Sequence, residues 1–191
     1  MTDVTIFGKG NMGTAIAGVL NSGGATVNHI GSDEATATVT GDVVVLAVPH
    51  PAVEAIVATY GDQLTGKTVV DITNPLDFTT FDSLVVPADG SKAAELAALL
   101  PGASVLKAFN TNFAATLVSG RVHDRPTTVL VAGDDADAKQ DLIDLVTAGG
   151  LRAVDAGALR RARELEAVGF LQLTLAVGEK IGWTGGFAVV G

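Results

Sequence analysis

The stretch Gly8–Lys9–Gly10–Asn11–Met12–Gly13 constrains the fold more than any other part of the chain. It has the form G-x-G-x-x-G and stands between segments of different periodicity. Val4–Phe7 before it is a short apolar run. After it, Met12, Ile16, Val19 and Leu20 fall on one helical face, and a second apolar run, Thr26–Ile30, follows. Strand, glycine turn, helix, strand is the order that a dinucleotide-binding βαβ unit requires. There, Gly8 permits the tight turn, Gly10 lets the backbone approach a pyrophosphate, and Gly13 lets the helix pack closely on the strand. The helix start offers its free N–H groups and positive dipole end to the phosphates. A glycine turn that binds nothing is the structural alternative, and the strand and helix around the motif weigh against it.

The alternation continues along the chain. Val43–Val48, Thr68–Ile72, Val105–Phe109, Thr128–Ala132 and Ala153–Val154 are short and mostly β-branched, as strands buried on both faces of a parallel sheet are. Val53, Ile56, Val57 and Tyr60, the Ala- and Leu-rich segment 93–100, and Leu142, Ile143 and Val146 supply helices between them. The predicted fold class is α/β: a Rossmann-type, doubly wound, mainly parallel sheet with a short C-terminal helical extension. Residues 1–155 are expected to form the NAD(P)-binding domain, and 156–191 a C-terminal helix and tail packed on that domain or on a dimer partner. The connection 31–41 leaves room for about two helical turns. The longest helical candidate, 158–182, carries Leu165, Val168, Leu171 and Leu175 on one side and Phe170, Leu173 and Val177 on the other. A helix apolar all round is buried or oligomeric, so a homodimer is expected.

Composition removes several function classes. The 191 residues include no cysteine, which excludes disulfides, thiolate-bound zinc, iron–sulfur clusters and a thiol nucleophile. No histidine and carboxylate stand at metal-ligand spacing, and no metal site is expected; His29 and His123 are isolated. Acidic side chains number 21 against 12 basic ones, for a formal charge of −9, which argues against a nucleic-acid surface. Mean hydropathy is +0.42. Even so, the longest apolar run, Val43–Val48, is far short of the ~20 residues a spanning helix needs. No basic region precedes the first apolar run, so no secretory signal is visible. A cytoplasmic protein with a small-molecule substrate is expected, with neither nucleic acid nor membrane as partner.

Candidate site residues lie at the carboxyl ends of the strands, which line one crevice in such a sheet. They are Gly8, Lys9, Gly10, Asn11, Met12 and Gly13 after the first strand, Ser32 after the second, and Ala47, Val48, Pro49 and His50 after the third. Thr73, Asn74 and Pro75 follow the fourth, and Asn110, with Thr111 and Asn112 beside it, the fifth. Prolines fix the backbone there, and the polar side chains can bind the second half of a dinucleotide. His50 is the one titratable group among them suited to acid–base work near neutral pH. It is the catalytic candidate, with a positioning role as its alternative. Hydride transfer needs two rings held in place and no obligatory protein acid. Ser32 and Lys9 suit a 2′-phosphate, whereas Asp33 and Glu34 suit a free 2′-hydroxyl, so the residues leave NADP and NAD both open. Arg160, Arg161 and Arg163 oppose the dipole at a helix start. They either pair with acids such as Glu164 and Glu166 or hold an anion.

With these residues in place, the sequence resembles the NADP oxidoreductases that use the 8-hydroxy-5-deazaflavin coenzyme F420. The matching pieces run in order. They are Thr5–Gly13, Val44–Pro49, Val70–Pro75, Lys107–Asn110, Ala132–Asp135, and Asp155–Gly157 leading to Ala162–Glu166. The resemblance implies NADP as cofactor, and hydride passing directly between nicotinamide and a stacked deazaflavin or flavin ring. The chain also resembles short dinucleotide-binding oxidoreductases whose substrate is not known. It departs from the family at Asp33, where a basic residue usually grips the 2′-phosphate, and it lacks the longer helical insertions around the deazaflavin. Trp183 and Phe187 are candidates to wall a ring pocket. Two alternatives remain: an imine reductase related to pyrroline-5-carboxylate reductase, whose opening motif shares Gly10–Asn11–Met12, and a non-enzymatic NADP(H) sensor or partner subunit.

Overall fold

Side chains alternate across a strand, so a strand buried on both faces must be apolar at every position. The computed structural model of the chain, which describes residues 2–34 and 36–190, shows this at Val43–Leu46, buried at all four positions, whereas Asp71 and Lys107 are buried charges at the ends of their strands. The strands are β1 (Asp3–Phe7), β2 (Thr26–Ile30), β3 (Val43–Leu46), β4 (Thr68–Asp71), β5 (Ser104–Lys107), β6 (Arg121–Val122), β7 (Arg125–Pro126), β8 (Thr128–Gly133) and β9 (Arg152–Gly157). Seven of them form one sheet in the order β2-β1-β3-β4-β5-β8-β9, while β6 and β7 form a separate hairpin. All neighbours in the large sheet run parallel except β5 and β8.

Successive residues feed two different cores. Val43, Val45, Val70 and Leu106 face one side, with Ile16 and Leu20 of α1 (Asn11–Ser22), Leu117 of α4 (Ala114–Ser119) and Leu142 and Val146 of α5 (Ala136–Ala148). Val44, Leu46, Val69 and Val105 face the other, with Tyr60 and Leu64 of α2 (Val53–Leu64), Leu96 of α3 (Lys92–Leu99) and Ala162 of α6 (Ala162–Val177). Each fully buried aliphatic side chain stabilises the sheet by about 1.5–3 kcal/mol. The expected doubly wound, mainly parallel fold is therefore the observed one.

Some local expectations needed correction. The apolar run 43–48 leaves the sheet after Leu46, because Ala47 bends toward the glycine turn, its N–H donating to the Phe7 carbonyl at 2.9 Å. No helix forms among the described residues of 31–41. The helix expected over 158–182 is the shorter α6, preceded by a single 3-10 turn, Leu159–Arg161, and closed at Gly178. Its apolar residues split: Ala162, Leu165, Gly169 and Ala176 are buried on the sheet, and Val168, Leu171 and Val177 stay exposed.

The chain reverses its strand order between β1 and β3, since β1 is followed in the chain by β2 on one side and then by β3 on the other. A crevice opens at the carboxyl ends of strands at such a switch point.

Candidate active site

The glycine turn is built against β3. Gly8 has φ +111° and its N–H donates to the Ile30 carbonyl at 2.9 Å. A Cβ at Gly8 would run into the Ala47 carbonyl oxygen, and one at Gly13 would meet the Gly8 carbonyl oxygen at 2.5 Å. Both glycines are thus required by the protein itself. Gly10 is different: its backbone is ordinary extended (φ −76°, ψ −175°), and a Cβ there would meet nothing within 4 Å. Nothing in the chain demands glycine at 10. The backbone there lies open to the outside, as the cradle for a pyrophosphate must.

The helix behind the turn is left bare. In α3 the Ser91 hydroxyl accepts the Ala94 N–H, and in α5 the Asp135 carboxylate accepts two. At α1 no side chain caps the first turn and no acid enters it. Its orphan N–H groups face the open space beside Gly10, as an anion site at a helix start requires. His29, which looks isolated in the sequence, holds this turn from β2: its Nδ1–H donates to the Gly8 carbonyl at 2.8 Å. Only the parallel register of β1 on β2, Ile6 opposite His29, brings the two together.

From Gly10 a crevice of about 590 Å³ runs across the ends of β3, β4 and β5. Of the expected site residues it is lined by Gly10, Asn11, Met12, Ala47, Val48, Pro49, His50, Thr73, Asn74 and Asn110, while Gly8, Lys9, Gly13, Ser32 and Pro75 lie outside the lining. Asn112, expected at the end of the fifth strand, lines it too; sequence reasoning missed Phe78, Phe109 and Phe113, while Trp183 lines it as well and Phe187 does not. Phe187 instead donates its backbone N–H to Gln172 Oε1 at 2.9 Å.

At the end near β2, Lys9 and Glu34 form an ion pair across 25 residues of sequence. Glu34 Oε1 also accepts the Gly31 N–H at 3.4 Å. The Lys9 ammonium and then the Gly31 N–H hold the Glu34 carboxyl below its usual range, and hydrogen bonding to Glu34 raises Lys9. The lysine expected to meet a phosphate is already engaged by a carboxylate.

The opposite end has aromatic walls, of which Phe78 and Trp183 are half exposed. His50 donates its Nε2–H to the Leu76 carbonyl at 3.3 Å and stacks on Phe78, ring centres 5.7 Å apart and 13° from coplanar. That bond points the ring along the crevice wall, which suits a positioning group. Phe113 and Trp183 pack on the other side with their rings tilted by 56° and centroids 5.0 Å apart. Phe109, fully buried at the end of β5, sits at φ +61°, a left-handed conformation that costs a non-glycine residue about 1–3 kcal/mol. It turns the chain so that Asn110 and Asn112 reach the crevice.

Beneath them lies a cluster of three charges that the sequence did not single out. Lys107 Nζ donates to Asp71 Oδ2 and to Glu166 Oε1, both at 2.8 Å, and all three side chains are at most 1% exposed. Glu166 further accepts the Lys92 and Ala93 N–H groups at 3.0 and 3.3 Å. Burial raises the Glu166 carboxyl, opposed by Lys107. The cluster pins α6 over the ends of β4 and β5, where Asn110 Nδ2 adds a bond to the Leu165 carbonyl at 2.8 Å. Glu166 is therefore not the partner of the arginines. Arg161 pairs with Glu164 at 3.1 Å, and none of Arg160, Arg161 and Arg163 lines the crevice. No group of acids and histidines fit to hold a metal occurs among the described residues, and no described helix is long and apolar enough to cross a membrane.

Known proteins resemble this chain in sequence and in fold. Residues 20–75 match the family described as NADP oxidoreductase, coenzyme F420-dependent. An F420-dependent NADP reductase of Methanocaldococcus jannaschii is 33% identical over 173 residues, covering 87% of this chain and 76% of that one. One from Methanothermobacter thermautotrophicus is 32% identical over 157 residues, covering 79% and 67%. A crystal structure from Arthrobacter sp. FB24, provisionally named an F420-dependent NADP reductase, superposes with a TM-score of 0.84 at 24% identity over 100% of both chains, and speaks for the fold.

Proposed function

The chain belongs to the coenzyme F420-dependent NADP oxidoreductases, and from that premise we propose that it uses NADP(H) to reduce or oxidise a flat ring, a deazaflavin or flavin, seated in the same crevice. It is an NADP-dependent oxidoreductase; the ring acceptor and the residue roles that follow are the proposal. The observation that carries it is Gly10: a glycine demanded by no protein atom, above an uncapped helix start, opening into a crevice with aromatic walls.

NADP, when bound, supplies the carbon that gives or takes the hydride. Gly10, Asn11 and Met12 at the start of α1 hold the pyrophosphate through backbone N–H groups. Gly8 and Gly13 keep that turn against β3. Lys9 and Ser32 serve the adenosine end. Ala47, Val48, Pro49 and His50 wall one side of the reacting ring, and Thr73, Asn74 and Asn110, with Pro75 holding the turn behind them, form its floor. Phe78, Leu173 and Trp183 exclude water from the second ring and offer it stacking surface. His50, held by Leu76, fixes the wall. No group in the lining has to move a proton, since hydride transfer between two rings is a matter of alignment.

The sheet unit supplies most of the crevice, and residues 156–191 add Leu173 of α6 and Trp183 to its lining. We assign the exposed Val168, Leu171 and Val177 of α6 to a homodimer contact; light scattering at the monomer mass overturns that assignment. For the reaction, the purified protein should quench or enhance NADPH fluorescence saturably and oxidise NADPH anaerobically with a deazaflavin or flavin. Oxidation with a cyclic imine and none with either ring overturns the acceptor class.

A further inference from the structure

Among the described residues, four buried side-chain atoms carry no hydrogen-bond partner: Thr73 Oγ1, Asn110 Oδ1, Asn112 Oδ1 and Thr128 Oγ1. Three of the four belong to residues that line the crevice, and Thr73, Asn110 and Asn112 are 3%, 4% and 8% exposed. Leaving a buried polar atom unpaired costs about 1–3 kcal/mol, so three in one wall need a reason.

Their chemical sense is fixed. Asn110 Nδ2 donates to the Leu165 carbonyl and to Asn74 Oδ1, at 2.8 and 2.9 Å. Asn112 Nδ2 donates to the Thr128 carbonyl at 3.0 Å. A carbonyl can only accept, so neither amide can be turned round. Each asparagine is therefore left with its oxygen as an acceptor. Thr73 differs: its backbone N–H is occupied by Asp71 Oδ1 at 2.9 Å and its carbonyl by Lys107 Nζ, while its hydroxyl still has a proton to give. Together the three atoms ask for a ligand group with two N–H donors and one carbonyl acceptor.

That description fits a primary carboxamide, and we infer that Thr73, Asn110 and Asn112 form a carboxamide-recognition site that orients the nicotinamide. The inference rests on the dinucleotide reading above and adds to it the atoms that fix the ring. The amide NH₂ donates to Asn110 Oδ1 and Asn112 Oδ1, and the Thr73 hydroxyl donates to the amide oxygen. The left-handed turn at Phe109 presents both asparagines, and the Lys107–Asp71–Glu166 cluster holds the Thr73 backbone. These are positioning residues: they choose the orientation of the ring and take no part in moving hydride.

Three ligands and two variants test this by titration calorimetry. NADP⁺ carries the carboxamide, the 3-acetylpyridine analogue of NADP⁺ keeps the carbonyl but has no NH₂, and 2′-phospho-ADP-ribose lacks the whole ring. Thr73→Val removes only an unbonded hydroxyl and should weaken NADP⁺ and the acetyl analogue alike, roughly fivefold, the worth of one neutral hydrogen bond. Asn112→Leu should weaken NADP⁺ by roughly fivefold to tenfold and leave the analogue unchanged. Neither should alter 2′-phospho-ADP-ribose. Equal losses for NADP⁺ and the analogue in Asn112→Leu, or a parallel loss for 2′-phospho-ADP-ribose, overturn the carboxamide site. Should Asn112→Leu fail to fold, an unchanged NADP⁺ affinity in Thr73→Val overturns it alone. Failure of the unmodified protein to bind 2′-phospho-ADP-ribose instead overturns the dinucleotide reading beneath it.

Discussion

The two ends of the candidate site, one beside β2 and outside the crevice and the other within it, solve opposite problems. At the β2 end the polar groups are charged, exposed and already satisfied, Lys9 by Glu34 and Glu34 by the Gly31 N–H. At the β4–β5 end they are neutral, buried and left incomplete, as Thr73, Asn110 and Asn112 show. An exposed ion pair is worth little and exchanges readily with water or a ligand. An unfilled buried acceptor loses free energy until a donor arrives, and so enforces geometry. In the proposed site the first end is assigned the choice of dinucleotide and the second the lie of its reactive ring. Between them, the bare start of α1 is the part both ends depend on.

The largest effect should come from that shared middle. Gly10→Val should abolish dinucleotide binding, by more than about 100-fold, with little change in Tm, because its side chain meets no protein atom. Gly8→Ala should instead lower Tm, since its side chain collides with Ala47 and its φ is +111°. Thermal melts beside NADPH titrations separate the two, and a Gly10→Val protein that still binds would break the comparison at its centre.

Next in size is the support of the buried end. Lys107→Met leaves Asp71 and Glu166 buried without their cation and should cost about 3–5 kcal/mol in chemical denaturation. The same substitution should blunt ring orientation, seen as a fall in kcat out of proportion to any change in nucleotide affinity. At the exposed end the effect is smaller and one-sided. Glu34→Gln should release Lys9 and favour NADPH over NADH roughly fivefold, with the gain fading as salt rises. An unchanged NADPH-to-NADH ratio would show that Glu34 is no competitor for the 2′-phosphate.

The smallest effect belongs to a capped helix, the counterpart of the bare one. Ser104 and the Ala138 and Asp137 N–H groups hold the Asp135 carboxyl below its ordinary value of 3.8. Its folded form therefore binds fewer protons than the unfolded chain near that pH. The stabilisation is complete above 3.8 and disappears as pH falls through the lower folded value. Asp135→Ala should lower Tm by a few degrees at neutral pH and by nothing at strongly acid pH; equal shifts at both would remove capping as the cause.

Much of the fold was legible because it rests on local pattern. Valine-rich runs at 43–46 and 68–71 can be buried only on two faces, and the spacing of Met12, Ile16, Val19 and Leu20 defines one helix. Ends were less legible: α6 stops at Val177 because Gly178 and the following turn close it, which apolar content does not reveal. In the site, the motif and strand ends located the crevice, yet Phe78 and Phe113 were invisible, since they arrive on loops with no periodicity.

By itself the sequence determined that a crevice opens beside Gly10, since the order of strand, glycine turn and helix is a property of neighbouring residues. The tertiary structure alone decided what each polar group there is free to do. Lys9 meets Glu34, Lys107 meets both Asp71 and Glu166, and His29 reaches Gly8 only because the parallel register and the docking of α6 place them so. Whether a side chain is satisfied depends on partners tens of residues away, and a buried atom such as Asn112 Oδ1 becomes informative only once every protein donor around it is accounted for.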